Sequence, residues 1–154
     1  MYKFLSLFTS VLLIIVACTS QKKAEKVIIT QGISGSVVEE IGNRMPMVDA
    51  PASSPNPFET TVFVYELVNV KNVEPANNNG LYTVVNGKLI TSVKTDSKGK
   101  FSINLPVGKY SLFVQKNSSF YANRFNAQND INVYEVNKDA LTTATIKVSL
   151  NAVY

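Results

Sequence analysis

Cys18 is the only cysteine in the 154-residue chain, and the chain contains no histidine. Those two counts remove most side-chain chemistry open to a protein of this size. Ser-His-Asp and Cys-His mechanisms need an imidazole as base, and the usual zinc sites need imidazole and thiolate donors. A single thiol forms no internal disulfide. Carboxylates remain, and Glu39 and Glu40 are adjacent acids. Neighbours in a strand project to opposite faces, so this pair does not flank one substrate bond. Asp96 stands among Lys94, Lys98 and Lys100, with Asp130 and Asp139 elsewhere. A calcium site needs about six to eight converging oxygens, so Asp96 reads as a turn former. No catalytic residue, metal site or cofactor is expected.

The chemistry left to Cys18 follows from its neighbours. Lys3 gives a positive start, Phe4 to Val16 form an apolar run broken only by Ser and Thr, and small residues follow. This run is shorter than the roughly 20 apolar residues of a membrane-spanning helix, and no second long apolar stretch follows. It therefore reads as a helical signal peptide over residues 1–17. Ile15-Val16-Ala17-Cys18 resembles the lipobox of bacterial lipoproteins. In that family the matching cysteine is diacylated, the peptide before it is removed, and the new amino terminus is acylated. The resemblance implies this role, with palmitate-type chains, for Cys18. Thr19 follows the cysteine in place of Asp, which by the same resemblance implies the periplasmic face of the outer membrane.

With residues 1–17 removed, 137 residues remain, enough for one domain. Fourteen basic side chains then face eleven acidic ones, and no basic run is longer than Lys22-Lys23. That surplus is too small and too dispersed for a nucleic-acid footprint. Residues 18–26 are polar and lysine-bearing and read as a tether. Residues 27–154 form the folded domain, which must be stabilised by a hydrophobic core because it has no disulfide.

Short apolar runs punctuated by Gly, Pro, Asn and Asp, with no helical period, indicate an all-β domain. Phe101, Ile103 and Leu105 alternate with Lys100, Ser102 and Asn104; Tyr110, Leu112 and Val114, then Ala144, Ile146, Val148 and Leu150, repeat the alternation. Three half-buried strands predict two sheets packed face to face, a single-domain β-sandwich of about seven to nine strands. Strands are expected near 33–39, 60–68, 81–85, 88–95, 100–105, 109–116, 120–125, 131–135 and 142–150. Asn86-Gly87 predicts a type I′ hairpin turn. Asp96-Ser97-Lys98-Gly99 and Pro106-Val107-Gly108 predict two more hairpins.

The run Thr95-Asp96-Ser97-Lys98-Gly99-Lys100-Phe101, followed by Leu105-Pro106-Val107-Gly108-Lys109-Tyr110-Ser111-Leu112, resembles a signature of the carboxypeptidase regulatory-like domain family. Its pattern is T-D-x-x-G-x-F, then L-P-x-G-x-Y-x-L. Ile33-Ser34-Gly35-Ser36-Val37 is similar to the family's opening strand. The resemblance spans most of residues 33–115 and implies a transthyretin-like, or prealbumin-like, seven-stranded sandwich that is usually non-catalytic. It departs from the family at Gly42-Asn43-Arg44-Met45-Pro46, where a long loop holding four of the six prolines replaces a short link. The late aromatic segment and the ending Ala152-Val153-Tyr154 are similar to small bacterial lipoproteins that carry this domain.

Two segments qualify as binding surfaces. The loop 42–59, with Arg44, is polar yet stiffened by proline, as a pre-organised loop would be. Its prolines equally serve to keep an insertion from pairing as a stray strand. Phe120-Tyr121-Ala122-Asn123-Arg124-Phe125-Asn126 concentrates residue types found on sugar-stacking and protein hot-spot surfaces, and Tyr121, Arg124 and Phe125 are the candidates. One face of such a strand would be ordinary core. The expectation is a non-enzymatic envelope module, membrane-bound through Cys18, that braces or binds a protein; the alternative is glycan binding through residues 120–126.

Overall fold

The computed structural model describes residues 29–43, 55–76 and 79–153. The signal peptide 1–17, the tether 18–26, Cys18 and Arg44 lie outside the described residues. The domain is an all-β sandwich of two sheets. Its strands are β1 (Gly32–Asn43), β2 (Asn56–Pro57), β3 (Thr61–Glu66), β4 (Val73–Pro75), β5 (Leu81–Val85), β6 (Leu89–Lys94), β7 (Lys100–Asn104), β8 (Gly108–Lys116), β9 (Ser119–Tyr121), β10 (Val133–Val136) and β11 (Leu141–Val153). A 3-10 turn at Val70–Asn72 precedes β4. The strands β2 and β4, two and three residues long, are the ones not anticipated from sequence.

In sheet A, β1 is central. It pairs in parallel with β11 on one side, and antiparallel with β7 and then β2 on the other. Sheet B runs β4-β5-β9-β8-β3-β6, with β10 beside the first half of β8. Alternation in the strands builds the core between the sheets: Ile33 and Val37, Phe101 and Ile103, and Ala144, Ile146 and Val148 meet Val62 and Val64, Tyr110, Leu112 and Val114, and Val136. Each valine, leucine, isoleucine or phenylalanine among them contributes about 1.5–3 kcal/mol on leaving water. Gly35 lets β1 and β11 approach, because a Cβ there would collide with the Ala144 carbonyl.

One expectation fails at β8, which is not half-buried. Tyr110 to Val114 are all buried, because the outer face of sheet B carries a second core. Phe113 and Tyr65 project into it and are covered by Val68, Val73, Tyr82, Ala122 and Ile131. Ser111 on the same face accepts a hydrogen bond from the Val68 amide at 3.0 Å, which ties down the covering segment. Asn132 is likewise buried and satisfied, donating from its side chain to the Leu112 carbonyl.

All three expected hairpins are corrected. β5 pairs with β4 and β9 whereas β6 pairs with β3, so Asn86-Gly87 joins strands that are not neighbours, and neither residue has positive φ. Asp96 does accept from the Lys98 and Lys100 amides, and Gly99 does turn left-handed at φ 70. That turn, however, carries the chain from sheet B to sheet A, and Pro106-Val107 carries it back. The tight hairpin lies instead at Asn117-Ser118, with Asn117 at φ 54, where β8 pairs with β9.

The tyrosines of the two cores set an alkaline limit. Burial pushes the Tyr65, Tyr82 and Tyr134 hydroxyls above their ordinary value of 10.0; Tyr121 adds to the shift at Tyr82, and Arg124 opposes it at Tyr134. The folded state therefore holds these protons more tightly than the unfolded one. Their contribution is complete below pH 10 and is lost as pH rises through the raised native values. Thermal unfolding midpoints should fall beyond pH 10, with tyrosinate absorbance rising in step, and Tyr134→Phe should flatten part of the fall. Free titration of Tyr65, Tyr82 and Tyr134 before unfolding would contradict this.

Candidate functional site

The segment after β9 is built from its turn upward. Asn126 accepts from the Gln128 and Asp130 amides at 3.0 and 2.8 Å, and its own amide donates to Asp130. Asn69 reaches across to donate to the Gln128 carbonyl and the Asp130 carboxylate. Hydrogen bonds from Asn69, then Asn126, hold the Asp130 carboxyl below its ordinary range. Phe125 bridges to Ile131 through the backbone, and the Asn132 amide donates to the Arg124 carbonyl. The loop is thus a fixed platform.

The platform separates the three candidate residues. β9 ends at Tyr121, so the expected strand 120–125 stops short and its alternation stops with it. Tyr121 is only 1% exposed, and its hydroxyl accepts from the Ser149 amide and lies 3.2 Å from the Ser149 Oγ. It presents no ring to solvent and belongs to the core, which corrects its assignment to a binding surface. Arg124 is exposed, with its guanidinium 5.8 Å from the Tyr134 ring centre and 3.4 Å from the Tyr134 hydroxyl. Phe125 is 52% exposed. Asn123 reaches Ser149 on β11. Arg124, Asn123 and the Phe125 ring are exposed there, the first two held by Tyr134 and Ser149.

The proline-bearing loop is described only in part. Asn56-Pro57 pairs with β1, and Phe58 packs against the core. The Lys116 ammonium lies 4.6 Å from the Phe58 ring centre and 2.5 Å from the Glu39 carboxylate. Glu40 takes Lys147 at 3.3 Å. Glu39 and Glu40 therefore engage different lysines, on β8 and β11, as the strand argument required. An open cleft of about 330 Å³ adjoins Phe58, lined by Glu59, Thr60, Thr61, Lys94, Gln115 and Asn117. The sequence reading singled out only its Phe58 and Glu59, at the end of the loop 42–59, because the lining is drawn from three separate stretches of chain.

Among the described residues, no three His, Cys, Asp or Glu side chains stand together as a metal site would require. Asp96 serves its turn, Asp130 serves the 126–130 loop, and Asp139 occupies a left-handed turn position at φ 54. No helix among the described residues is long and apolar enough to cross a membrane. Comparison with known proteins finds no matching family model, no matching curated protein and no matching solved structure.

Proposed function

We propose that the chain is a lipid-anchored, non-catalytic β-sandwich module of the bacterial cell envelope that braces or binds another protein, seated on the periplasmic face of the outer membrane. The Ile15-Val16-Ala17-Cys18 run carries the reading, since it places the only thiol where an acyl group would be attached. The motif residues that carry the resemblance to carboxypeptidase regulatory-like domains have turn and core duties in the fold. Asp96 and Gly99 shape one sheet-to-sheet turn, the Tyr110 hydroxyl donates to the Pro106 carbonyl across the other, and Phe101, Leu105 and Leu112 are core. A chain without histidine, whose strand carboxylates Glu39 and Glu40 are engaged by lysines, supports a non-catalytic role.

The exposed Phe125 ring, next in the chain to Arg124, supports the second reading, glycan binding. Crosslinking in intact cells followed by affinity purification tests both readings. A reproducible protein partner should be recovered with wild type and fall at least about ten-fold with Arg124→Ala and Phe125→Ala combined, if that surface is a hot spot. Retention of envelope glycan that vanishes with the same pair would favour the glycan reading. Unchanged recovery of both would remove the 123–125 surface from either role.

A further inference from the structure

The strands at the margins of this sandwich are not equally protected. β2 ends in Pro57 and β4 in Pro75, and proline offers no N–H to an incoming strand. β6 and β7 are short and carry Lys94 and Lys100. The open side of β10 is occupied where the Thr142 hydroxyl donates to the Glu135 carbonyl. β11 differs. It runs for thirteen residues without proline, pairs only with β1 among the described strands, and carries one charge, Lys147, already matched by Glu40.

The direction of its open groups follows from one bond. The Gly32 amide donates to the Ala140 carbonyl, with Gly32 opposite Leu141 in a parallel ladder. Even-numbered residues through Val148 therefore turn their N–H and C=O toward β1, and Thr143, Thr145 and Lys147 turn theirs outward. The Ser149 amide, next in that outward series, is taken by the Tyr121 hydroxyl, which closes the open stretch at that end.

We propose that β11 pairs antiparallel with β11 of a second copy, about a twofold axis at Thr145, so that the two A sheets become one. The register follows from self-complementarity. Thr145 faces the second copy's Thr145, and Thr143 faces its Lys147. All three outward residues then exchange both backbone bonds. Facing threonines are favourable cross-strand neighbours, and Lys147 meets a threonine instead of another lysine. Because the Lys147 charge is balanced by Glu40, the edge carries no net charge to repel its copy. An isologous contact of this kind closes as a dimer. It is independent of the anchor at Cys18 and of the surface at Arg124.

Disulfide trapping in the full chain reads the register directly. In Thr145→Cys the paired Cα atoms would lie about 5.5 Å apart, inside the disulfide range of about 4.4–6.8 Å. Mild oxidation should give a linked dimer. Thr143→Cys alone should not, since its copy lies four residues out of register, roughly 13 Å along the strand. Mixing Thr143→Cys with Lys147→Cys should restore the link. The double variant Cys18→Ser/Thr145→Cys should link as well, which excludes the native thiol and any effect of lipid. Thr145→Lys, which sets like charges face to face, should shift the sedimenting species from dimer to monomer. Failure of Thr145→Cys to link while circular dichroism shows intact β structure would overturn the proposal. Equal linking by Thr143→Cys alone, or linkage only to a different polypeptide, would overturn it too.

Discussion

Phe113→Ala is expected to lower the unfolding free energy by about 3–5 kcal/mol, the range for emptying a buried phenylalanine site. Phe113 has no solvent exposure and meets Tyr65, Tyr82 and Phe120 edge to face, at centroid distances of 5.6, 5.9 and 6.5 Å. Each such contact adds about 0.5–1.5 kcal/mol beyond simple burial. The cavity would open between β8 and the segment covering it, which the Val68 amide ties to Ser111 of β8 and the Ile131 amide ties back to the Val68 carbonyl. Partial collapse would reduce the cost, and detachment of the cover would raise it.

Urea unfolding followed by tyrosine emission gives the number. Phe113→Leu should recover most of the loss, and Phe125→Ala, at the exposed position, should stay within about 0.5 kcal/mol of wild type. A Phe113→Ala cost below about 1 kcal/mol would mean that the outer face of sheet B is not a packed second core. That outcome would also undermine the platform, since Ile131 and Ala122 are packed in the same cluster.

Phe113 also marks the limit of what the chain declares about itself. In 109–116 the alternation of Tyr110, Leu112 and Val114 is plain, and these residues do face the core between the sheets. Phe113 breaks the pattern because β8 is covered on both sides, a fact that depends on Val68, Val73 and Ile131, far away in sequence. Turn chemistry was equally legible and equally local. Asp96 and Gly99 do what their types suggest, yet a turn's internal bonds do not specify whether the next strand stays in its sheet or crosses. Asn86-Gly87 shows the same limit more sharply, since strong hairpin residues there connect strands that pair elsewhere.

The candidate surface failed at one residue for a related reason. Composition groups Tyr121, Arg124 and Phe125, but the end of β9 divides them, burying Tyr121 against Ser149 and leaving the other two outside. The cleft beside Phe58 has a local signature only where the loop 42–59 ends, and the open side of β11 has none. Both arise where distant segments meet or where a neighbour is lacking, and neither condition is written in a short window of sequence.

The proposed anchor gives the largest expected effect of any single substitution. Cys18→Ser should abolish incorporation of a labelled fatty acid, leave the leader uncut, and remove the lipid-dependent part of membrane association. The change is all-or-none because a serine hydroxyl does not replace the thiolate as the acyl-accepting nucleophile, and no other thiol exists in the chain. The energetic side is as steep. Each buried methylene contributes about 0.8 kcal/mol, so one chain holds only marginally and two or more hold stably. The surplus of basic over acidic residues is too small and too dispersed to compensate. The folded domain should not register the loss. The described cores are assembled from Ile33 onward, so thermal unfolding of the variant should match wild type within error. Label retained in Cys18→Ser would show that acylation occurs elsewhere or that the label is not covalent, and would end the lipoprotein reading. A lost label with a lowered unfolding midpoint would instead mean that lipid supports the sandwich directly.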